Sequence, residues 1–256
     1  KMKKCIIIPA RISSTRLPKK VMLKVGGKPI IQRVYEQCSK VKNISVYIAT
    51  DSLEIMELCN AFTTNVIMTK SSHKSGTDRV VEAMGKLTDY DLIVNVQADE
   101  PFINPILIDE IFKNLTDKNV LMVSAMKKIN SIKDLKNPNI VKVITDKNKN
   151  AIYFSRSIIP HLRDQKGSTN KFPTENNPFY SHIGIYGYKK EFLHIFSNLK
   201  EGPLEELEKL EQLRVIENGI KIRMIETKLD SIGIDTKEDY LNSLNFYEKQ
   251  KKQYEL

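Results

Sequence analysis

Residues 5–20 read Cys5-Ile6-Ile7-Ile8-Pro9-Ala10-Arg11-Ile12-Ser13-Ser14-Thr15-Arg16-Leu17-Pro18-Lys19-Lys20. The apolar start of this stretch is typical of a buried parallel strand, and the remainder is a basic loop without glycine. A loop that leaves the carboxyl end of a first strand lies where open α/β sheets bind their ligands. This loop offers four cations and three hydroxyls, together with backbone N–H groups, which suits a polyphosphate. The stretch therefore predicts an α/β fold and a nucleotide enzyme.

The length of 256 residues suits one large domain, or one domain with an inserted subdomain. No apolar run approaches the roughly 20 residues of a membrane helix, and no signal peptide is recognisable before the first strand. We therefore expect no membrane insertion. The three cysteines, Cys5, Cys38 and Cys59, lack the spacing of a metal site. Reduced, buried thiols are the simpler interpretation, and they favour a cytoplasmic protein.

The formal net charge of +10 raises the question of nucleic acid binding. The lysines are spread along the whole chain, and runs such as residues 147–150 are typical of solvated turns. Clustering of basic residues indicates a nucleic acid surface better than their total does. We therefore expect anionic small substrates and no nucleic acid partner.

Strand and helix patterns alternate up to residue 118 and then change. The predicted strands of the first part are 3–9, 44–50, 65–68 and 92–96. The predicted helices of the first part are 29–42, 51–61 with Asp51 as a cap, one from about 77 and one from 105. The later strand candidates, with little helix between them, are 120–128, 140–145, 151–154 and 182–188. A helix at 203–218, a strand at 220–226 and a helix from about 236 follow, and 163–177 is predicted to be a long surface loop. This order predicts a mostly parallel central sheet flanked by helices, with a smaller β-rich region in the second half.

The basic loop contains neither a Walker P-loop nor a dinucleotide glycine fingerprint. Arg11, Arg16 and Lys20 would therefore neutralise phosphates by side chain, helped by N–H groups between Ala10 and Ser14. A solvated basic loop without a ligand is the alternative. The position at the carboxyl end of a strand favours the phosphate site.

Two carboxylates are candidates for binding Mg²⁺. Asp99 lies in the segment 97–101, which directly follows the predicted strand 92–96, so that it would face the same crevice as the basic loop. Capping of the next helix or a solvated position is the alternative for this segment. Asp235 lies in Gly233-Ile234-Asp235-Thr236, where a short extended run meets a helix. For Asp235 the residues alone leave metal binding and helix capping equally open.

A second group of chemically interesting residues lies in the second half of the chain. Arg156 follows a predicted strand and suits a carboxylate-binding role. His182 stands beside Ile183-Gly184, where a histidine is more often structural than catalytic. Glu211 and Arg214 are three residues apart on one helix, so a surface ion pair explains them equally well.

Nine motifs in a fixed order mark a resemblance to a known family. They are 8–11 (IPAR), 14–18 (STRLP), 75–79 (SGTDR), 95–101 (NVQADEP), 138–143 (PNIVKV), 153–156 (YFSR), 182–188 (HIGIYGY), 210–214 (LEQLR) and 233–236 (GIDT). With these motifs the chain resembles the CMP-Kdo synthetases, the 3-deoxy-manno-octulosonate cytidylyltransferases, from Ile6 to about Tyr240. The resemblance implies a nucleotide-diphospho-sugar transferase-like fold in a single domain, 1–256. Residues 1–118 would bind nucleotide, and 119–256 would bind the sugar and form the dimer.

The resemblance also implies roles for individual residues. Arg11 and Lys20 would hold the CTP phosphates and act in catalysis with Asp99 and Asp235, which would bind Mg²⁺. The implied nucleotide contacts are Ala10, Arg11, Ser14, Arg16, Lys20, Ser75, Gly76, Thr77 and Gln97, of which 75–77 would read cytosine. The implied sugar contacts are Gln97, Lys142, Arg156, His182, Tyr186, Glu211, Gln212 and Arg214. Members of the family are cytosolic homodimers.

The implied reaction joins CTP to a 3-deoxy-2-keto sugar acid such as Kdo, giving a CMP-sugar and pyrophosphate for lipopolysaccharide or capsule synthesis. The 8-amino analogue of Kdo, another nucleotidyltransferase substrate and a non-catalytic nucleotide- or RNA-binding module are the alternatives. Two positions depart from the family pattern. Lys19 and Ala98 stand where the family usually has glycine, and either change can alter a backbone conformation that glycine adopts freely.

Overall fold

The computed structural model describes residues 2–14, 16–161, 178–229 and 232–254. For residues 252–254 it describes the backbone alone. Thr15 and the predicted surface loop 163–177 lie outside the described residues. The chain forms two compact units: unit 1 comprises Lys1–Phe112 and Asp230–Leu256, and unit 2 comprises Lys113–Leu229. The division of binding roles at residue 118 stays a prediction.

Unit 1 contains a parallel sheet. Its elements are β1 (Lys4–Ala10), the short pair β2 (Lys24–Val25) and β3 (Lys28–Pro29), α1 (Ile30–Ser39), β4 (Ser45–Thr50), α2 (Leu53–Cys59), β5 (Val66–Met68), α3 (Gly76–Lys86), β6 (Leu92–Asn95) and most of α4 (Pro105–Leu115). The main strands pair in the order β6-β1-β4-β5, all parallel. Ile6 of β1 lies opposite Val46 on one side and Val94 on the other. The run Cys5–Ile8 is buried completely, as expected for a central parallel strand.

Local sequence explains where the helices of unit 1 begin. Ser75 and Asp78 form a reciprocal capping box at the start of α3. Ser52 caps α2, since its Oγ accepts from Ile55 N at 3.3 Å. The prediction that Asp51 caps this helix is wrong, because the Asp51 carboxylate accepts instead from Arg79 Nη2 at 2.8 Å.

The hairpin β2–β3 holds the C-terminal helix (Lys237–Tyr254) in unit 1. Gly26 has φ +55°, and a Cβ there would collide with the Tyr247 ring and the Arg33 side chain. Arg33 lies 4.1 Å from the Tyr247 ring centroid and donates to the carbonyl of Gly26 at 2.8 Å. Glycine is therefore required at the turn both for its left-handed backbone and for the close approach of the helix.

Unit 2 is rich in β-structure, as predicted, and most of its pairs are antiparallel. Its elements are β7 (Met122–Lys128), α5 (Ile132–Lys136), β8 (Lys142–Thr145), β9 (Ala151–Ser155), β10 (Tyr180–Lys189), α6 (Lys190–Asn198), α7 (Pro203–Glu208), α8 (Gln212–Glu217) and β11 (Ile222–Thr227). The pairing order is β11-β7-β10-β8-β9, and β11 and β7 are the parallel pair. The single helix predicted at 203–218 is two helices, because Lys209 has φ 55° and ends α7. Helices α5 and α6 were not predicted.

The described part of the chain contains no helix that is both long enough and apolar enough to cross a bilayer.

Candidate active site

A pocket of about 460 Å³ opens in unit 1 beyond the carboxyl ends of β1 and β6. Four segments line it: the basic loop after β1, the start of α3, residues 97–100 and the segment before the C-terminal helix. The predicted nucleotide and metal residues that line it are Arg11, Ser14, Arg16, Lys20, Ser75, Gly76, Gln97, Asp99 and Asp235. Ala10 and Thr77 are buried next to these lining residues in the chain. The fold thus brings together the residues that the sequence placed at strand ends.

Lys20 lies between the two predicted metal ligands. Its Nζ contacts Asp99 Oδ2 and donates to Asp235 Oδ1 at 2.7 Å. Arg16 Nη2 lies 3.3 Å from the other carboxylate oxygen of Asp235. The Lys20 side chain is 16% exposed, whereas that of Asp235 is 51% exposed. Two carboxylates that are far apart in the sequence therefore meet at one cation.

These contacts move the pKa of both partners in the direction that keeps them charged. Burial lowers the pKa of Lys20, but the Asp99 and Asp235 carboxylates outweigh it and leave that pKa raised. Burial raises the pKa of Asp235, but Lys20 and then Arg16 outweigh it and leave that pKa lowered. The group is therefore a charged cluster at neutral pH.

The carboxylates fit Mg²⁺ as part of its coordination shell. Asp99 and Asp235 already direct oxygens at one point, and hard oxygen donors are what Mg²⁺ prefers. Among the described residues, no group of three or more His, Cys, Asp or Glu side chains could hold a metal. Mg²⁺ at this position would therefore take its remaining ligands from water and from substrate phosphates, as it usually does in nucleotide enzymes.

Asp235 is available for this role because its neighbour caps the helix. Thr236 Oγ1 accepts from Asp239 N at 3.1 Å, and Asp239 Oδ2 accepts from Thr236 N at 2.8 Å. Asp239 Oδ2 also accepts from the backbone N–H of Asp235 at 3.1 Å. Helix capping, the alternative explanation for Asp235, is therefore performed by Thr236 and Asp239.

One of the two departures from the family pattern affects the backbone. Lys19 has φ 52° and ψ 29°, the left-handed conformation that glycine adopts at least cost. Its Nζ bonds both carboxylate oxygens of Glu54, at 2.6 and 2.9 Å. Ala98 is not among the described residues with positive φ, so its position does not require glycine. Lys19 stands directly before the 3₁₀ turn Lys20–Met22 and therefore bears on the placement of Lys20.

Among the pocket-lining residues that were not predicted as site residues, Arg79 and His73 make side-chain contacts with acidic partners. Arg79 is buried and donates to Asp51 and to Thr69 Oγ1. His73 Nε2 contacts Glu82, which also accepts from Lys70 N at 2.9 Å. The bond from Lys70 and the contact with His73 lower the pKa of Glu82 to about 2. Arg79 belongs to a quoted motif, whereas no sequence signal marked His73.

In unit 2, His182 is part of a hydrogen-bonded chain at a bulge in β10. The register of β10 against β7 shifts between Ile183 and Tyr186. Ser124 Oγ donates there to the carbonyl of Ile185 at 2.8 Å, so its oxygen accepts from His182 Nε2, also at 2.8 Å. This assignment leaves His182 Nδ1 as an acceptor for Gln212 Nε2 at 3.4 Å.

The chain of bonds gives His182 a positioning role. Tyr186 donates to Gln212 Oε1 at 3.4 Å, so the predicted sugar residues His182, Tyr186 and Gln212 form one network. Burial lowers the pKa of His182 to about 3, which keeps the ring neutral. A neutral ring, with Nε2 donating and Nδ1 accepting, orients Gln212, which in turn accepts from Tyr186, and the ring carries no positive charge.

Lys142 is buried completely and serves the backbone. Its Nζ donates to the carbonyls of Asn137 at 3.0 Å, Ile140 at 2.6 Å and Arg156 at 2.6 Å. Burial lowers the pKa of Lys142 first, and nearby Arg156 lowers it further. All three donors of the ammonium are used, which supports a structural role, and the sugar contact of Lys142 stays a prediction.

Arg156 and Arg214 are also held in place within unit 2. Arg156 donates through Nε to the carbonyl of Glu208 at 2.9 Å and through Nη1 to that of Pro138 at 3.2 Å. Arg214 forms a two-bond pair with Glu205 and lies over the Phe196 ring. Arg214 therefore pairs with the buried Glu205, in place of the surface ion pair with Glu211 that the sequence left open. Glu211 lies at the N-terminal end of α8.

Known proteins of one family are similar to this chain over most of its length. The model of a family described as cytidylyltransferase matches residues 5–222. The 3-deoxy-manno-octulosonate cytidylyltransferase of Geobacter metallireducens is 45% identical over 242 residues, covering 93% of this chain and 95% of the relative. The enzyme of the same name from Francisella tularensis subspecies novicida is 45% identical over 238 residues, covering 91% and 94%.

A solved structure shares the fold. A CMP:2-keto-3-deoxy-manno-octonic acid synthetase in complex with CTP superposes with a TM-score of 0.88 at 35% identity. The match covers 97% of this chain and 99% of that one. It confirms the predicted α/β fold with a mostly parallel sheet. From the family match and the identity of these relatives over most of their length, we conclude that this chain belongs to the cytidylyltransferase family.

Proposed function

We propose that this protein transfers CMP from CTP to the 3-deoxy-2-keto sugar acid Kdo and releases pyrophosphate. The observation that carries the proposal is the convergence of Asp99 and Asp235 on one cation in the pocket that begins at the basic loop. The relatives at 45% identity are named for this reaction, and the similar solved structure contains CTP.

The chemistry requires positioning and charge neutralisation more than a covalent intermediate. The anomeric hydroxyl of the sugar acid would attack the α-phosphorus of CTP in line, and pyrophosphate would leave. Arg11 and Lys20 would neutralise the triphosphate, and the pocket residues Ser75, Gly76 and Gln97 would position the nucleotide. Mg²⁺ held by Asp99 and Asp235 would supply positive charge at the reacting phosphate and favour ionisation of the attacking hydroxyl.

The cysteines take no part in this mechanism. Cys5, Cys38 and Cys59 are all buried, and none of them forms a disulfide. Burial raises the pKa of Cys38 and raises that of Cys59 to about 12. Neither of these two provides a thiolate nucleophile at neutral pH.

For the sugar acid, the proposal uses residues of unit 2. Arg156 would bind the carboxylate, and the network of His182, Tyr186 and Gln212 would orient polar groups toward the sugar hydroxyls. Glu211 would add an acceptor. Lys142 and Arg214 would support this arrangement from within the unit.

The biological setting follows from the same proposal. The enzyme would act in the cytoplasm as a homodimer, with Mg²⁺ as its cofactor. Its product would feed lipopolysaccharide or capsule synthesis, because an activated sugar acid is the donor for a glycosyl transfer.

The test is pyrophosphate release by the purified protein with Mg²⁺. CTP, UTP, ATP and GTP are each supplied with Kdo, its 8-amino analogue, a sialic-type acid and a sugar 1-phosphate. We expect release with CTP and Kdo above all other pairs. A preference for the 8-amino analogue would change the assigned sugar, and turnover of a sugar 1-phosphate would reject the sugar acid. Tight, Mg²⁺-independent RNA binding without turnover would reject catalysis altogether.

A further inference from the structure

The position of the Lys20 ammonium has a consequence for metal binding. Its Nζ makes its contacts with the same two carboxylates, Asp99 and Asp235, that would hold Mg²⁺. The Lys20 side chain is 16% exposed, so the ammonium is largely withdrawn from water. A metal ion directly bound to both oxygens would occupy the space of the ammonium and would repel its charge.

The ammonium also does what a metal would do for this cluster. Without a cation, the Asp99 and Asp235 carboxylates would repel each other and repel a triphosphate. Lys20 offsets this repulsion, and Arg16 adds a second positive group 3.3 Å from Asp235. The free protein therefore has its own counter-ion in the pocket.

We propose that Lys20 is the resident cation of this site in the free enzyme, and that the nucleotide opens the metal site by drawing the ammonium onto its phosphates. The proposal rests on the proposed function for the identity of the nucleotide. Because the triphosphate competes with the carboxylates for Lys20, metal and nucleotide would bind cooperatively. Lys20 would then have two successive partners during the reaction, the carboxylates first and the phosphates second.

Competition between Lys20 and a divalent cation for the two carboxylates should be measurable as a change in metal affinity. A divalent cation must displace Lys20 before it can bind both carboxylates of the free protein. The stronger the contacts of Lys20 with these carboxylates are, the lower is the affinity of the free protein for the divalent cation. Removing the ammonium removes this competition. A variant without the lysine charge should therefore bind a divalent cation more tightly in the absence of any nucleotide.

The experiment is a titration of the free protein with Mn²⁺, followed by the electron paramagnetic resonance signal of the unbound ion. We expect Lys20→Met to lower the dissociation constant of Mn²⁺ by tenfold or more relative to the unsubstituted protein. Adding Asp99→Asn to Lys20→Met should remove the gained site. Lys28→Met is the matched control, because Lys28 bonds Glu36 in unit 1 and does not line the pocket.

Two outcomes of the Mn²⁺ titration would overturn the proposal. The first is a Lys20→Met protein that folds normally and binds Mn²⁺ no more tightly than the unsubstituted protein, with Lys20→Gln giving the same result. The second is a gain of affinity that persists in Lys20→Met/Asp99→Asn, since the metal would then bind elsewhere.

A second measurement addresses the role of the nucleotide. In the presence of EDTA, we expect CTP to bind the unsubstituted protein at least tenfold more tightly than the Lys20→Met protein, because uncompensated carboxylates repel the triphosphate. Equal affinities would contradict the transfer of Lys20 to the phosphates. The Mn²⁺ titration uses neither CTP nor sugar. If no sugar acid supports pyrophosphate release, the proposed function fails while the resident-cation role is still decided by that titration.

Discussion

Arg214 and Glu205 form a bidentate ion pair inside unit 2, with Nε 2.7 Å from Oε2 and Nη2 2.6 Å from Oε1. Only 16% of the Arg214 side chain and 9% of the Glu205 side chain are exposed. We predict that Arg214→Ala lowers the free energy of unfolding by about 3–5 kcal/mol, because it leaves a buried carboxylate without its partner. Urea denaturation measures this loss.

The exposed pair of Lys149 and Glu226 provides the control for this prediction. These side chains are 49% and 40% exposed, so Lys149→Ala should change stability by about 1 kcal/mol or less. The double variant Arg214→Met/Glu205→Leu should recover much of the loss, because it leaves no buried charge. Equal effects of Arg214→Ala and Lys149→Ala would refute the structural role of the buried pair.

The left-handed backbone at Lys19 predicts an unusual gain in stability. Lys19→Gly relieves a conformation that costs a non-glycine residue about 1–2 kcal/mol, and it removes an exposed pair with Glu54 that contributes less than about 1 kcal/mol. After the greater backbone entropy of glycine is included, we expect a net gain of about 0.5 kcal/mol. Lys19→Ala keeps the strain and loses the pair, so it should be less stable than the unsubstituted protein. Thermal unfolding of both variants distinguishes these effects.

The carboxylates at the pocket should be essential for turnover and dispensable for folding. Asp99→Ala should reduce pyrophosphate release by about a hundredfold or more, since the metal contributes several kcal/mol of charge stabilisation. Its unfolding transition should stay cooperative, because Asp235 still pairs with Lys20. Asp89→Asn, an exposed carboxylate outside the pocket, is the control. Near-normal turnover of Asp99→Ala, or an unchanged Mg²⁺ requirement in Asp235→Asn, would reject the metal assignment for that residue.

The neutral His182 ring predicts how stability depends on pH. The folded pKa of about 3 lies below the ordinary value, so the unfolded chain binds a proton more readily. The contribution of His182 is complete above about pH 6.5 and falls by roughly 1.4 kcal/mol per unit as pH decreases toward the folded pKa. His182→Gln should therefore flatten this decline between about pH 6.5 and pH 4.5 in urea unfolding experiments. His194→Gln, at an exposed position in α6, should leave the slope unchanged.

Much of unit 1 could be predicted because its signals are local. The apolar run Cys5–Ile8 is visible as a buried strand, and residues at strand ends must share one edge of a parallel sheet. That rule placed Asp99 and the basic loop together. It could not place Lys20 between two carboxylates, because the direction of a long side chain depends on contacts made across the chain.

Unit 2 was harder to predict because its decisive interactions are not local. Glu205 lies on a different helix from Arg214. The spacing rule for ion pairs on one helix concerns residues three or four apart, so it indicates Glu211 as the partner of Arg214. The break between α7 and α8 falls at Lys209, a residue type that gives no signal for a left-handed backbone. The burial of Lys142 could not be predicted either, because a lysine in a strand is normally exposed.

The buried ammonium of Lys142 makes two separate stretches of unit 2 behave as one cooperative unit. Its acceptors are the carbonyls of Asn137 and Ile140 before β8 and that of Arg156 after β9. Opening either stretch alone would leave a charged donor without a partner in an apolar surrounding. The amide protons of both stretches should therefore exchange with solvent through a common opening event. The arginine that we assign to the sugar carboxylate thus owes its fixed backbone to a lysine with no exposed surface.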